Sequence, residues 1–230
     1  SNTKLKSLRF YQGNLKDDNV SWNNIDWSEI ENLELGAYQG RECGIKNFTF
    51  LSKVSNLSSF TLERCSECTD FSFMENMLNL TYLQINGCTK ISSLNLEKMN
   101  QLKIVKIFEN SLSRITLPQN IEDITLYSNN ISDITFISGL KKIISLNLKN
   151  NNITDLRPLE NIIENGKIKF TSLDLSNNVL QTTTVGGHNN IDTLTKLFDA
   201  GLRSLNISGN NFTPGSTDSL KNLGWTSYTE

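Results

Sequence analysis

Residues 143–159 read I-I-S-L-N-L-K-N-N-N-I-T-D-L-R-P-L, and this stretch decides the fold. Numbered from Ile143, apolar residues fall at positions 1, 4, 6 and 11 (Ile143, Leu146, Leu148, Ile153), with Asn151 at position 9. Positions 4 and 6 are two apart, as the inward face of a strand requires, and Ser145, Asn147 and Lys149 point the other way. Asn151 is a polar residue in apolar company. An unpaired amide there would cost about 1–3 kcal/mol, and its natural partners are backbone groups that a bent loop leaves free. The stretch reads as one turn of a coil, with a short strand, a corner held by an amide and an irregular return.

The same spacing recurs along almost the whole chain. It fits Leu5-Leu8-Phe10-Gly13-Leu15, then Ile30-Leu33-Leu35-Tyr38, Leu57-Phe60-Leu62-Cys65 and Leu80-Leu83-Ile85-Cys88-Lys90. It continues at Leu102-Val105-Ile107-Asn110-Leu112 and Ile121-Ile124-Leu126-Asn129-Ile131. Beyond the founding copy come Phe170-Leu173-Leu175-Asn178-Leu180 and Leu202-Leu205-Ile207-Asn210-Phe212. Successive starts are 25, 27, 23, 22, 19, 22, 27 and 32 residues apart. Period and pattern together are those of leucine-rich repeats. The predicted fold class is α/β, a single right-handed solenoid over residues 1–230. Its concave side carries a parallel sheet, and its convex side carries loops, short 3₁₀ turns and one late helix.

Two repeats narrow the resemblance. N-N-I-S-D-I-T-F-I (129–137) and N-N-I-T-D-L-R-P-L (151–159) resemble the bacterial internalin-like repeat, in which the strand is followed by N-x-I-[ST]-D-[IL]-x-P-L. L-P-Q-N-I-E-D-I-T-L (117–126) is more similar to the short repeats of secreted bacterial effectors, and the long 170–212 unit to helix-containing ribonuclease-inhibitor-type repeats. The internalin-like resemblance implies a bacterial surface or secreted protein that engages a protein partner. The alternative is a cytoplasmic scaffold or translocated effector, and a third reading is the recognition fragment of a larger enzyme.

Bulk properties agree with a recognition solenoid. Net charge is −2 over 230 residues, which leaves no electrostatic footprint for nucleic acid or an anionic membrane. No apolar run approaches the roughly 18 residues of a spanning helix. Apolar content of 37% is modest because each coil buries only a thin core. A monomer without nucleic-acid partner, membrane insertion or cofactor is expected. Ser1-Asn2 reads as a remnant of recombinant expression, so the absence of a signal peptide says little about location.

Some segments depart from the repeat. D-D-N-V-S-W-N-N-I-D-W-S-E-I (17–30) reads as a helical turn whose indoles, Trp22 and Trp27, cover the first coil. G-A-Y-Q-G-R-E-C-G (36–44) loops out before F-T-F-L (48–51) re-enters the core. T-T-T-V-G-G-H-N-N (182–190) reads as a flexible insertion. N-I-D-T-L-T-K-L-F-D-A-G (190–201) reads as a helix capped by Asn190, ended by Gly201 and apolar along Ile191, Leu194, Leu197 and Phe198. Residues 213–230 are a cap or partial repeat, with a helix starting in S-T-D-S-L-K-N-L.

Catalytic and metal patterns are missing. Cys65 and Cys68 form a C-x-x-C, but no second pair or nearby histidine completes a tetrahedral set. Cys65 and Cys88 share position 9 on consecutive coils, close enough for a disulfide, although two inward thiols stay reduced in an intracellular or anaerobic setting. His188 is the lone histidine and lies in the Gly-rich insertion, where a general base would be poorly held. H-E-x-x-H, G-x-x-x-x-G-K-[ST] and G-x-S-x-G are all absent, so neither an enzyme nor a metal site is expected. The N-x-[ST] sequons at Asn19, Asn47, Asn56, Asn79, Asn130, Asn152, Asn206 and Asn211 follow from an Asn- and Ser-rich repeat, and a glycan on Asn206 would sit on the strand face itself.

Positions 3, 5 and 7 of each strand form three columns on the concave face. The C-terminal coils present mainly Ser and Asn there. The middle coils present Tyr82, Ile104 and Asp123 in the first column, Lys106 in the second, and Phe108 and Tyr127 in the third. Exposed aromatics gathered on neighbouring strands mark an interaction site, so these six residues are the expected partner-binding set.

Overall fold

The computed structural model describes residues 5–11, 22–164 and 166–230; Gly13, Leu15 and the Asn19 sequon lie outside them. All but two of the strands stack, in chain order, into a ten-stranded parallel sheet. Its first five members are β1 (Ser7–Tyr11), β2 (Asn32–Gly36), β3 (Ser59–Glu63), β4 (Tyr82–Asn86) and, after an intervening β5 (Ser93–Asn95), β6 (Ile104–Phe108). After β7 (Arg114–Thr116) the sheet continues with β8 (Asp123–Thr125), β9 (Ser145–Asn147), β10 (Ser172–Asp174), β11 (Ser204–Asn206) and β12 (Ser227–Thr229).

The register is the one that the repeat predicts. Ser7 pairs with Asn32, Asn32 with Ser59, Ser59 with Tyr82, Tyr82 with Ile104, Ile104 with Asp123 and Asp123 with Ser145. Asn147 pairs with Asp174, and Ser172 with Ser204. The inward residues at positions 4 and 6 from Leu33 to Ile207 are at most 4% exposed, Leu146 being the most open. Such uniform burial follows from stacking, since each coil's apolar stripe is covered on both sides. Leu5 on the edge coil is 61% exposed, against its inward template position.

The convex side is more varied than one late helix. Among the described residues, four 3₁₀ turns occur at Trp22–Asn24, Thr49–Lys53, Ser72–Asn76 and Thr135–Ile137. One-turn helices α1 (Arg157–Glu160) and α3 (Asp218–Lys221) flank the ten-residue α2 (Asn190–Asp199). β5 and β7 form a second parallel sheet of two strands. They lie on the return path near the shortest step, 19 residues from Leu102 to Ile121, and an extended chain covers a given distance with fewer residues than a helix.

α2 ends as the sequence predicts and starts one residue earlier. Asn189 is the cap, accepting the Ile191 N–H at 2.9 Å. Asn190 instead turns inward, fully buried, donating to the Thr154 and Gln181 carbonyls at 2.8 Å each and accepting the Leu156 N–H at 3.0 Å. At the other end Gly201 (φ +118°) reverses the chain, with Gly201 N–H on the Phe198 carbonyl and Leu202 N–H on the Leu197 carbonyl. The C-terminal segment contributes α3 and β12, with Ser204 paired to Ser227 and Leu205 to Tyr228. At the opposite end Trp22 stacks on Phe50 at 4.3 Å and meets Phe10 edge-on at 5.5 Å, so the indoles cover the first coil.

The corners are built alike. Position 8 takes a left-handed conformation in seven coils, at Arg64, Glu109, Ser128, Asn150 and Asn177 (φ 53–56°) and at Gly87 and Gly209 (φ 65° and 69°). That conformation costs an L-residue about 1–2 kcal/mol, and the following position-9 side chain holds it. Asn151 donates to the Leu126, Leu148 and Lys149 carbonyls at 2.9–3.1 Å and accepts the Ile131 N–H at 3.0 Å. Asn129, Asn178 and Asn210 repeat the arrangement, each reaching back to the strand-end carbonyl of the preceding coil at 2.8–3.1 Å.

In the N-terminal half the ladder is made of sulfur. Cys43, Cys65 and Cys88 are fully buried at the corresponding points. The Cys43 N–H bonds the Arg64 carbonyl at 2.8 Å, as Asn129 N–H bonds Asn150. Cys43, not Tyr38, is therefore position 9 of the second coil; residues 38–42 are an exposed loop, and Tyr38 is 64% exposed. In the next two coils the apolar residue follows at a spacing of three: Cys68 after Cys65 and Ile91 after Cys88, leaving Lys90 outside. The C-x-x-C is thus a repeat spacing.

All four thiols are free, and Cys65 lies in hydrogen-bond contact with Cys43 and Cys88. Burial pushes the Cys65 thiol far up, and pushes Cys68 up to about 12. Because the thiolate is the reactive form, the folded protein is expected to resist an aromatic disulfide reagent at pH 8, with four thiols reacting at once in 6 M guanidinium as read by absorbance. Rapid labelling of the native protein would contradict the packing.

Candidate functional site

The register brings five of the six expected residues onto three adjacent strands, with Tyr127 two residues beyond the end of the third. Tyr82, Ile104 and Asp123 are consecutive cross-strand partners on β4, β6 and β8. Lys106 sits between Gln84 and Thr125, and its Nζ lies 5.9 Å from the Tyr82 ring centroid. Phe108 closes β6 and stacks on Tyr127, with centroids 4.7 Å apart and planes 16° apart. All six side chains are half-buried, resting on the strands with one face open. Such aromatic pairs contribute about 0.5–1.5 kcal/mol beyond their area.

Polar groups fix the rim. Tyr82 donates its hydroxyl to Gln84 Oε1 at 2.6 Å, and Gln84 Nε2 donates to Glu63 Oε1 at 2.9 Å. Burial raises the Tyr82 phenol above its ordinary value, and the charges of Asp123, Glu34 and Glu63 push the same way. Tyr127 is raised by burial and by Glu109. Asp123 Oδ1 and Asn86 Oδ1 are buried and accept no hydrogen bond among the described residues. Asn86 is the cross-strand partner of Phe108, so an acceptor flanks the aromatic stack.

A second aromatic group lies nearer the N-terminus, where the sequence reading does not place one. Tyr11 and Tyr38 rings are 5.6 Å apart, and Arg9, ion-paired to Glu34 at 2.7 Å, lies 5.9 Å from the Tyr11 centroid. The loop at 38–42 carries Tyr38 out of the coil; the signal for it is Gly36-Ala37-Tyr38-Gln39-Gly40. Gly36 is required by proximity, since a Cβ there would lie 2.5 Å from the Glu63 carbonyl oxygen. Gly36→Ala is expected to cost about 1–3 kcal/mol by urea unfolding, because the β2–β3 pairing must spread.

The insertion with the histidine is held, contrary to its composition. His188 N–H bonds Thr184 Oγ1 at 3.1 Å, Thr184 N–H bonds the His188 carbonyl at 2.8 Å, and Nε2 lies 2.7 Å from Thr193 Oγ1. Thr193 donates to Glu160 Oε1 at 2.6 Å, and Lys196 meets the other carboxylate oxygen at 2.7 Å. Burial disfavours ionised Glu160, yet the Lys196 and Thr193 bonds outweigh it and hold its pKa below the usual value. Thr193 is fully buried, so this junction ties α1 to α2 and presents no hydroxyl to a substrate. Among the described residues no group of three or more His, Cys, Asp or Glu is arranged to hold a metal ion. No helix of the described residues is long and apolar enough to cross a membrane.

Stacked coils, a corner ladder and a parallel sheet on one side define a leucine-rich-repeat solenoid. Three similar solved structures come from bacteria. An internalin of Listeria monocytogenes matches with TM-score 0.50 and 18% identity over 87% of this chain and 67% of that one. Internalin C2 of the same organism matches with TM-score 0.54 and 22% identity over 75% and 71%. A leucine-rich-repeat protein of Leptospira interrogans matches with TM-score 0.53 and 19% identity over 96% of this chain and 58% of its own length. At these identities the likeness is one of fold. No family model and no curated protein matches the sequence.

Proposed function

We propose that this chain is a non-catalytic recognition module that binds a protein partner through the concave face, centred on Tyr82, Ile104, Lys106, Phe108, Asp123 and Tyr127. The observation that carries the reading is the stacked Phe108–Tyr127 pair, with Ile104 and Tyr82 beside it on the outward face of the sheet. Ten strands at about 4.8 Å spacing make that face about 40 Å long. A width of 15–20 Å gives roughly 600–800 Å², close to one side of a standard protein interface. Resemblance to internalin-like repeats supports a bacterial surface or secreted setting with a host or cell-envelope partner.

A second reading rests on the cysteines. Four free, buried thiols in one core favour a reducing compartment, and hence a cytoplasmic scaffold or translocated effector. A signal peptide or cell-wall anchor in the full-length gene decides between the two. The test of the face itself is capture of a partner by the purified protein, repeated with Phe108→Ala/Tyr127→Ala. Recovery of the same partner by the double variant would refute the assignment.

A further inference from the structure

Among the described residues, the carboxylates in the three concave columns are Glu34, Glu63, Asp123 and Asp174, and three of them have a donor. Glu34 pairs with Arg9 at 2.7 Å, Glu63 accepts Gln84 Nε2 at 2.9 Å, and Asp174 accepts the Ser176 N–H at 2.9 Å. Asp123 is the exception. It accepts no hydrogen bond and forms no ion pair among the described residues, although its Oδ1 is closed off from solvent. A half-buried carboxylate has given up part of its hydration, and without a donor nothing in the fold offsets that loss.

The surroundings of Asp123 suit a cation that arrives with hydrocarbon. Its cross-strand neighbours are Ile104 and Ser145, and Tyr82 lies one strand beyond Ile104. Lys106, on the adjacent strand, is not its partner; its Nζ lies 5.9 Å from the Tyr82 ring centroid. Lys149 stands on the next coil, four residues further along the strand direction, or about 13 Å. A second acceptor without a donor, Asn86 Oδ1, belongs to a residue only 9% exposed beside Phe108. The aromatic pair is thus bracketed by two acceptors that the chain itself leaves unmatched.

We propose that the protein partner seats an arginine on Asp123, with the flat face of the guanidinium against Ile104 and an apolar residue of the same segment on the Phe108–Tyr127 stack. Arginine fits better than lysine because its delocalised charge is more weakly hydrated and its planar head packs on apolar surface. This inference rests on the recognition function proposed above and adds the chemistry of the partner.

The test is an amide and methyl NMR titration of the intact chain with acetyl-Phe-Arg-Phe-amide. The comparison peptide carries citrulline, which keeps the shape of arginine without its charge. Saturable shifts centred on Ile104, Phe108, Asp123 and Tyr127 are expected, with the citrulline peptide at least about fivefold weaker. In Asp123→Asn the two peptides should bind alike, and the melting temperature should hold or rise, because the carboxylate has no bond in the fold to lose. Equal affinity of the two peptides for the wild-type protein, a preference that persists in Asp123→Asn, or no saturable shift would each overturn the inference. A melting temperature several degrees lower in Asp123→Asn would make the carboxylate structural and overturn it as well. Equal binding of both peptides, lost in Phe108→Ala/Tyr127→Ala, would remove the arginine while leaving the concave-face reading in place.

Discussion

Asn151→Leu is expected to lower the unfolding free energy by about 3–5 kcal/mol, although leucine is of similar size and more apolar. The Ile131 N–H loses its partner where Asn151 itself is only 5% exposed, and the carbonyls of Leu126, Leu148 and Lys149 each lose one bond, keeping those from Asn129, Asn178 and the Ser128 N–H. The orphaned N–H costs about 1–3 kcal/mol and each lost bond to a carbonyl about 0.5–1.5 kcal/mol, while the gain from burying leucine together with local relaxation offsets part of the sum. The damage spreads, since a solenoid coil is stable only against its neighbours. Urea unfolding with Asn152→Ala as the comparison isolates the effect, because Asn152 is exposed and its loss should stay within about 0.5 kcal/mol. A difference below about 1 kcal/mol between the two variants would mean that the amide does not hold the corner.

Phe108→Ala/Tyr127→Ala should reduce affinity for the captured partner at least about a hundredfold while lowering the melting temperature by only a few degrees. The separation follows from where the rings sit. Both are half-buried on the outward face, so truncation opens no cavity in the core and removes chiefly their mutual stacking, about 0.5–1.5 kcal/mol. At an interface, a central aromatic commonly accounts for 2 kcal/mol or more, and two adjacent ones for a hundredfold or greater loss. Calorimetric titration gives the affinity and scanning calorimetry the stability. Unaltered affinity would remove the patch from the interface.

What was legible in the chain was whatever the strand period governs. Inward residues two apart in the strand pair with the matching residues of the next coil, so the start of each repeat was enough to place Tyr82 beside Ile104 and Ile104 beside Asp123. Corners obey no such period. Tyr38 occupies a template position only if the loop at 38–42 is overlooked, and Cys43 is recognisable only by its backbone bond to Arg64. Lys90 failed for a related reason, since a corner with one more residue delivers Ile91 to the core. The insertion at 182–190 looked loose because Gly and Thr are turn formers, yet the bonds that hold it reach Glu160 and Thr193, which local composition cannot reveal.

The change of corner residue from cysteine to asparagine falls between Cys88 and Asn110, where Asn110 Oδ1 takes the Cys88 N–H at 2.7 Å. On one side each turn is clamped to the next by three or four strong bonds; on the other a weak thiol donor stands in the same place. The spring therefore has unequal stiffness along its axis. Under tension the thiol corners are expected to loosen before the amide ones, and the aromatic platform at Phe108 sits at the boundary between them.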